Sequence, residues 1–160
     1  MVSSENNAVS SAVFNFRYQH GVDEKRRAQV PKPWRPAAAD LKTEFTLILW
    51  NKGSHGPCLR VLPRAQYDKL LAQIEAMSPS DPLKATRKRM IGSWSTQVTF
   101  DTTGRICIPE ELANEAKIFP GDEVKFVGLI NLFEIWNLER FNAVDADEKK
   151  QAADVYRDLE

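Results

Sequence analysis

The chain has 160 residues, 42% hydrophobic and 28% charged, and its 22 basic side chains balance 22 acidic ones. Such a composition is globular, no run approaches the roughly 18 apolar residues of a membrane span, and a net charge of zero argues against a general polyanion binder. The balance hides a segregation: residues 17–35 carry six cations against Asp23 and Glu24, whereas residues 139–160 carry four against seven carboxylates. A basic patch early in the chain is thus set against an acidic tail.

Residues 1–12, MVSSENNAVSSA, lack both a basic start and an apolar stretch, so they are expected to be a disordered extension rather than a signal peptide. From Phe14 the aromatics alternate: Phe14, Phe16 and Tyr18 are expected on one side of a half-buried strand. A basic turn, DEKRR, leads into the return strand AQVP; Pro31, Pro33 and Pro36 forbid a long ladder, and Pro36 can open a short helix through AAADL. FTLILW and CLRVL form the next strand pair across the turn-rich NKGSHGP. After Pro63, the spacing of Tyr67, Leu70, Leu71, Ile74 and Met77 predicts one face of an amphipathic helix ended by SPSDP. A second helix, Leu83 to Ile91, carries the basic stripe Lys84, Arg87 and Lys88, a solvated face by default. Strand TQVTF, turn DTTG, strand RICIP, helix EELANEA and the strands DEVKFVG and LFEIWN follow. The closing helix from Leu138 loses apolar periodicity after Val144, which predicts a solvated or frayed end.

The second half replays the first. Asp23, Arg27, Val30 and Pro31 match Asp101, Arg105, Ile108 and Pro109 at a constant offset of 78 residues, and LRVLPRAQY from Leu59 lies over FEIWNLERF from Phe133 at an offset of 74. A unit of about 75 residues is near the lower limit of independent stability, so two copies sharing one core are expected rather than two beads. The fold class is therefore α+β: two pseudo-symmetric β-rich repeats with short helices. The organisation is residues 13–63 for repeat one, 64–93 for connecting helices, 94–137 for repeat two and 138–160 for a terminal helix and tail.

In the turn DTTG the aspartate can accept backbone hydrogen bonds from two residues on, and glycine supplies a positive φ; Arg105 then projects beside the hairpin tip. DEKRR repeats the design with Arg26 at the glycine position. Either that turn is of another type or its added charge serves function. Asp23 with Arg27 and Asp101 with Arg105 can be surface ion pairs worth at most about 1 kcal/mol each. Their recurrence beside Lys25 and Arg26 favours contact with phosphate.

Other chemistry finds little support. His20 and His55 have no nucleophile and orienting group nearby in sequence, the H-x-x-C spacing of His55 and Cys58 has no second pair, and no Gly-rich phosphate loop occurs. No enzyme, metal or cofactor is expected. Cys58 and Cys107 lie in apolar runs and are expected to be buried free thiols of a reducing cytosol. Trp34, Trp50, Trp94 and Trp136 read as core or subunit-interface packing.

The sequence resembles the MraZ family of bacterial transcription regulators, which carry two SpoVT-AbrB swapped-hairpin domains in tandem. The resemblance spans about residues 14–144. It rests on FRYQHGVDEKRRAQVP, CLRVLP with RAQYDKL, SDPLKATRKRMIGS, VTFDTTGRICIPEEL and FEIWNLERF. It implies a cytoplasmic, nucleoid-associated protein without membrane attachment that forms ring homo-oligomers. Such rings bind double-stranded DNA at promoter direct repeats of the division and cell-wall gene cluster. The family's D-x-x-x-R positions fall on Asp23 and Arg27, and on Asp101 and Arg105; arginine suits bidentate contact with guanine or phosphate. Asp23 and Asp101 would orient the arginines, while Lys25, Arg26 and Lys32 would touch phosphate. Two departures are the arginine at 26, where the family usually has glycine, and the leading 12 residues. The rival reading is an antitoxin-like or scaffold module that grips a protein partner.

Overall fold

The structure, a computed structural model, describes residues 13–51 and 53–160, so the expected extension over residues 1–12 lies outside the described residues. In chain order the strands are β1 (Arg17–Gly21), β2 (Arg27–Gln29), β3 (Phe45–Trp50), β4 (Cys58–Leu62), β5 (Ser95–Val98), β6 (Arg105–Cys107), β7 (Glu123–Gly128) and β8 (Phe133–Asn137). The α-helices are α1 (Arg64–Glu75), α2 (Lys84–Ser93), α3 (Glu110–Ala116) and α4 (Leu138–Arg157). The fold is α+β. Six strands form an antiparallel sheet in the order β1-β7-β8-β4-β3-β5, and β2 pairs with β6 in a separate two-stranded ribbon.

The pairing interlocks the repeats. β1 of the first repeat pairs with β7 of the second, and β5 of the second pairs with β3 of the first. At the centre of the large sheet Arg60 faces Glu134, and at the centre of the ribbon Ala28 faces Ile106. These partners are also each other's equivalents under the sequence offsets of 74 and 78, so one pseudo-twofold axis runs through both ladders. Neither repeat could close a core alone. Val22, Ala28, Val30, Leu47 and Val61 pack with Ile106, Ile108, Val124, Phe126 and Phe133 in one buried cluster.

An aromatic nest fixes the first repeat on the second. Trp34, 5% exposed, lies 4.9 Å from the Phe133 ring and 5.2 Å from Tyr18, with its indole donating to the Asn15 carbonyl at 3.1 Å. Trp34 and Trp136 are buried packing groups, as expected. On the pseudo-axis the Arg60 Nε donates to Glu134 Oε2 at 2.7 Å, the guanidinium lies 4.2 Å from the Trp50 ring centroid, and the Trp136 indole donates to Glu134 Oε1 at 2.8 Å. A half-buried ion pair needs such extra hydrogen bonds to offset desolvation.

Two local expectations change, those for Phe16 and Cys107. Phe16 is 74% exposed because its φ of 77° places it in the left-handed region and breaks the alternation between Phe14, which is buried, and Tyr18. The short helix expected through AAADL is a 3-10 helix, Ala38–Asp40, preceded by another over Lys32–Trp34. Cys107 is exposed while Cys58 is buried: Ile106 and Ile108 take the inward positions of β6 and its extension, leaving residue 107 outside. Burial pushes the Cys58 thiol up, keeping it protonated. The closing helix α4 runs to Arg157 with an exposed far end, as expected.

Replacing Glu134 by Ala should lower stability to urea by about 3 kcal/mol, because it strands a half-buried guanidinium. The double variant Arg60→Leu/Glu134→Gln, which keeps an acceptor for Trp136, should recover more than half of that loss.

Candidate nucleic-acid interface

The two turns adopt one geometry. Asp23 Oδ1 accepts the Lys25 and Arg27 amides, each at 2.9 Å, and Oδ2 accepts Arg27 Nε at 2.7 Å. Asp101 Oδ1 accepts the Thr103 amide, the Thr103 hydroxyl and the Arg105 amide, each at 2.9 Å, and Oδ2 accepts Arg105 Nε at 2.9 Å. The backbone closes identically: Arg26 N–H donates to Asp23 O at 3.0 Å, and Gly104 N–H to Asp101 O at 3.1 Å. Gly104 has φ 81° and Arg26 has φ 59°. The first turn is therefore of the same type as the second, with an arginine held where the left-handed conformation costs a non-glycine residue about 1–2 kcal/mol.

The ribbon places the turns side by side. Arg26 O accepts the Ile108 amide at 2.8 Å and Gly104 O accepts the Val30 amide at 3.1 Å, so each turn is sewn to the other repeat. Arg105 Nη1 reaches Asp23 Oδ2 at 3.5 Å. The arginines do form the turn-stabilising ion pairs, and at 34% and 28% side-chain exposure they are only partly accessible. Both pairs use Nε, which holds the guanidinium by its inner edge.

The carboxylates respond as anions fixed by donors. The Arg27 amide, with its guanidinium and the Lys25 amide, holds Asp23 below the ordinary 3.8 despite some opposing burial. At Asp101 burial pushes upward, but the Arg105 amide, the Thr103 hydroxyl and amide and the Arg105 guanidinium outweigh it and bring the group to about 2.

The remaining sequence candidates scatter in character. Lys25 is exposed at the tip and its carbonyl accepts from the Cys107 thiol at 3.7 Å. Arg26 approaches Glu110 of α3 at 3.4 Å, which tempers its charge. Lys32 is exposed on its 3-10 turn. The stripe on α2 is tied down within the chain: Lys88 pairs with Glu75 at 2.6 Å, Arg87 with Asp81 at 3.0 Å, and Lys84 donates to the Glu75 carbonyl. Sequence reasoning overlooked two neighbours. Arg35 donates from Nε to the Val30 carbonyl at 2.7 Å and lies over Gly104 so closely that a Cβ there would collide with it; Gln29 donates to the Thr103 carbonyl at 2.8 Å. Arg35 was visible only as one cation in the basic count. Gln29 had no signal, because its partner is 74 residues away.

Fold and site together define a tandem strand-exchanged protein that displays paired aspartate-aimed arginines. A family model described as "MraZ protein, putative antitoxin-like" matches residues 93–158. The Transcriptional regulator MraZ of Caulobacter vibrioides is 31% identical over 140 residues, 88% of this chain and 86% of that protein. Those of Phenylobacterium zucineum and Rickettsia typhi are 30% and 32% identical, over 88% and 81% of this chain and 84% of each relative. The chain belongs to the MraZ family.

Replacing Arg26 by Gly should raise stability by about 1 kcal/mol, since relief of the left-handed backbone exceeds the added entropy of glycine; thermal melting checks the sign. Because the folded value of Asp101 lies below 3.8, its stabilisation is complete above that pH and disappears as pH falls through about 2. Asp101→Asn should therefore cost about 1 kcal/mol at neutral pH. The gap from the parent chain, read from urea midpoints, should shrink between pH 4 and pH 2.

Proposed function

We propose that this chain is a sequence-specific, DNA-binding transcriptional regulator without catalytic activity. It works as a ring of copies that lays its ribbon turns on successive direct repeats. One observation carries the reading: Arg27 and Arg105 stand on one narrow ribbon, each gripped through Nε by its own aspartate. The grip uses Nε, so the Nη donors of Arg27 and Nη2 of Arg105 remain for guanine or phosphate, Arg105 Nη1 being turned toward Asp23 Oδ2 at 3.5 Å. Lys25 and Lys32 supply phosphate contacts at the margin, and Arg26 does so to the extent that Glu110 releases it.

A single ribbon is a weak binder, since each neutralised phosphate contributes a modest term with a slope of about −0.9 in log K against log salt. Multiplication through a ring converts weak contacts to tight ones by effective concentration. Head-to-tail assembly keeps every ribbon in one orientation, which suits direct repeats better than palindromes. The names of the relatives support the regulator class. Family membership points to the promoter of the division and cell-wall gene cluster as the target, to repression, and to the cytoplasm and nucleoid as the location. Among the described residues no helix is long and apolar enough to cross a membrane.

An anisotropy titration against duplex DNA bearing short G-rich direct repeats tests the proposal. The parent chain should bind tightly and with a steep salt dependence. Arg27→Ala/Arg105→Ala should raise Kd at least about thirtyfold, the loss of one good arginine contact being about 1–3 kcal/mol. Unchanged binding would remove these arginines from the interface. No binding by the parent chain to any such duplex would favour the protein-gripping, antitoxin-like role.

A further inference from the structure

We infer that the ribbon is electrostatically polar on DNA, its second turn anchoring on phosphate while Glu110 withholds Arg26 at the first; this rests on the regulator reading above and gives Glu110 a positioning role within it. The polarity comes from the exchange between repeats. Val30 donates its amide to the Gly104 carbonyl at 3.1 Å, and Arg35 both donates to the Val30 carbonyl and lies against Gly104. Residues 30–35 of the first repeat therefore flank the second turn. In the same way Ile108 donates its amide to the Arg26 carbonyl at 2.8 Å, so residues 108–113 of the second repeat flank the first turn.

The two flanks are opposite in charge. DEKRR has three cations and two carboxylates and receives Glu110 and Glu111, whereas DTTGR has one of each and receives Lys32 and Arg35. The balance is −1 around the first turn and +2 around the second. Along the chain the order is the reverse: residues 23–35 hold five cations against two carboxylates, and residues 101–113 hold one against three. The turn that is basic in sequence is thus neutralised by the other repeat, and the turn of the acidic segment is made basic. At 0.1 M salt charges act over about 10 Å, so the balance immediately around each turn decides where phosphate settles.

Glu110 acts through Arg26. Glycine would take the left-handed backbone at residue 26 without strain, and a surface ion pair returns no more than that strain costs, so stability does not account for the arginine. Arg26 Nη2 lies 3.4 Å from Glu110 Oε2, with 30% of the arginine side chain and 68% of the glutamate side chain exposed. A pair this open can be exchanged: a DNA phosphate takes the place of the carboxylate on Arg26, and Glu110 returns to water. Every phosphate contact by Arg26 is then lessened by the ion pair it gives up. The equivalent position beside the second turn holds Lys32, an exposed cation of the sign that phosphate seeks.

The test is an anisotropy titration against the direct-repeat duplex between about 50 and 200 mM salt, with each variant first shown by melting to keep the parent fold. Glu110→Gln should tighten binding about fivefold at the lower salt, the worth of one surface ion pair. It should also steepen the slope of log K against log salt by about 0.9, one further phosphate being neutralised, which a merely structural role would not do. In an Arg26→Gly chain the same substitution should change Kd by less than about twofold, because the group it releases is gone. Lys32→Ala should weaken binding more than Lys25→Ala, these being exposed lysines beside the second and first turns. An equal gain from Glu110→Gln with and without Arg26, or no gain in either, would overturn the role of Glu110; equal losses at Lys25 and Lys32 would overturn the polarity. Either result, with tight binding by the parent chain, leaves the regulator reading standing, whereas a parent chain that binds no such duplex overturns both.

Discussion

The strand exchange between repeats is the constraint on which the rest of the molecule depends. Because β1 hydrogen-bonds to β7 and β5 to β3, neither repeat satisfies its own backbone, and the two must fold together about the pseudo-axis. On such an axis two identical chains would have to set each residue opposite its own copy. Joining the copies in one polypeptide lifts that restriction, and here the axis carries Arg60 against Glu134 with the Trp136 indole completing the carboxylate. The same axis passes through the ribbon at Ala28 and Ile106, so the core pair that holds the sheet together also fixes how the two turns stand to each other.

Within that frame each turn carboxylate does two structural jobs. Asp23 and Asp101 replace backbone partners that a tight turn cannot supply, and their second oxygens position an arginine. The copies have diverged in charge while keeping shape. The second turn uses glycine under the Arg35 side chain, whereas the first forces Arg26 into the same conformation and faces it with Glu110. Glu110 itself stands at the position equivalent to Lys32, so the two ends of the ribbon differ electrostatically although their backbones superpose in hydrogen-bond pattern.

The helices that follow β4 and β8 have diverged further. Tyr67 of α1 corresponds to Phe141 of α4, and Leu70 to Val144, but Phe141 is buried against Trp136 while Tyr67 is only half-buried. The same packing position is thus fully enclosed in one repeat and partly open in the other.

By itself the sequence determined the local features: the strands read from period-two patterns, the helix EELANEA, the duplicated turns and the arginines they carry. Each depends on residues within a few positions of one another, where side-chain spacing and turn chemistry suffice. Only the tertiary structure decided which strands pair across the repeats, that Arg60 and Glu134 meet on the axis, that Cys107 faces outward while Cys58 is enclosed, and that the α2 cations are held by Glu75 and Asp81. It also decided that Phe16 turns out of its strand, because the backbone around it is set by contacts with Gly128 and Ile130 more than a hundred residues away. Local chemistry fixes what a segment can form; which of its faces is left to solvent is set by partners distant in the chain, and no short-range pattern encodes them.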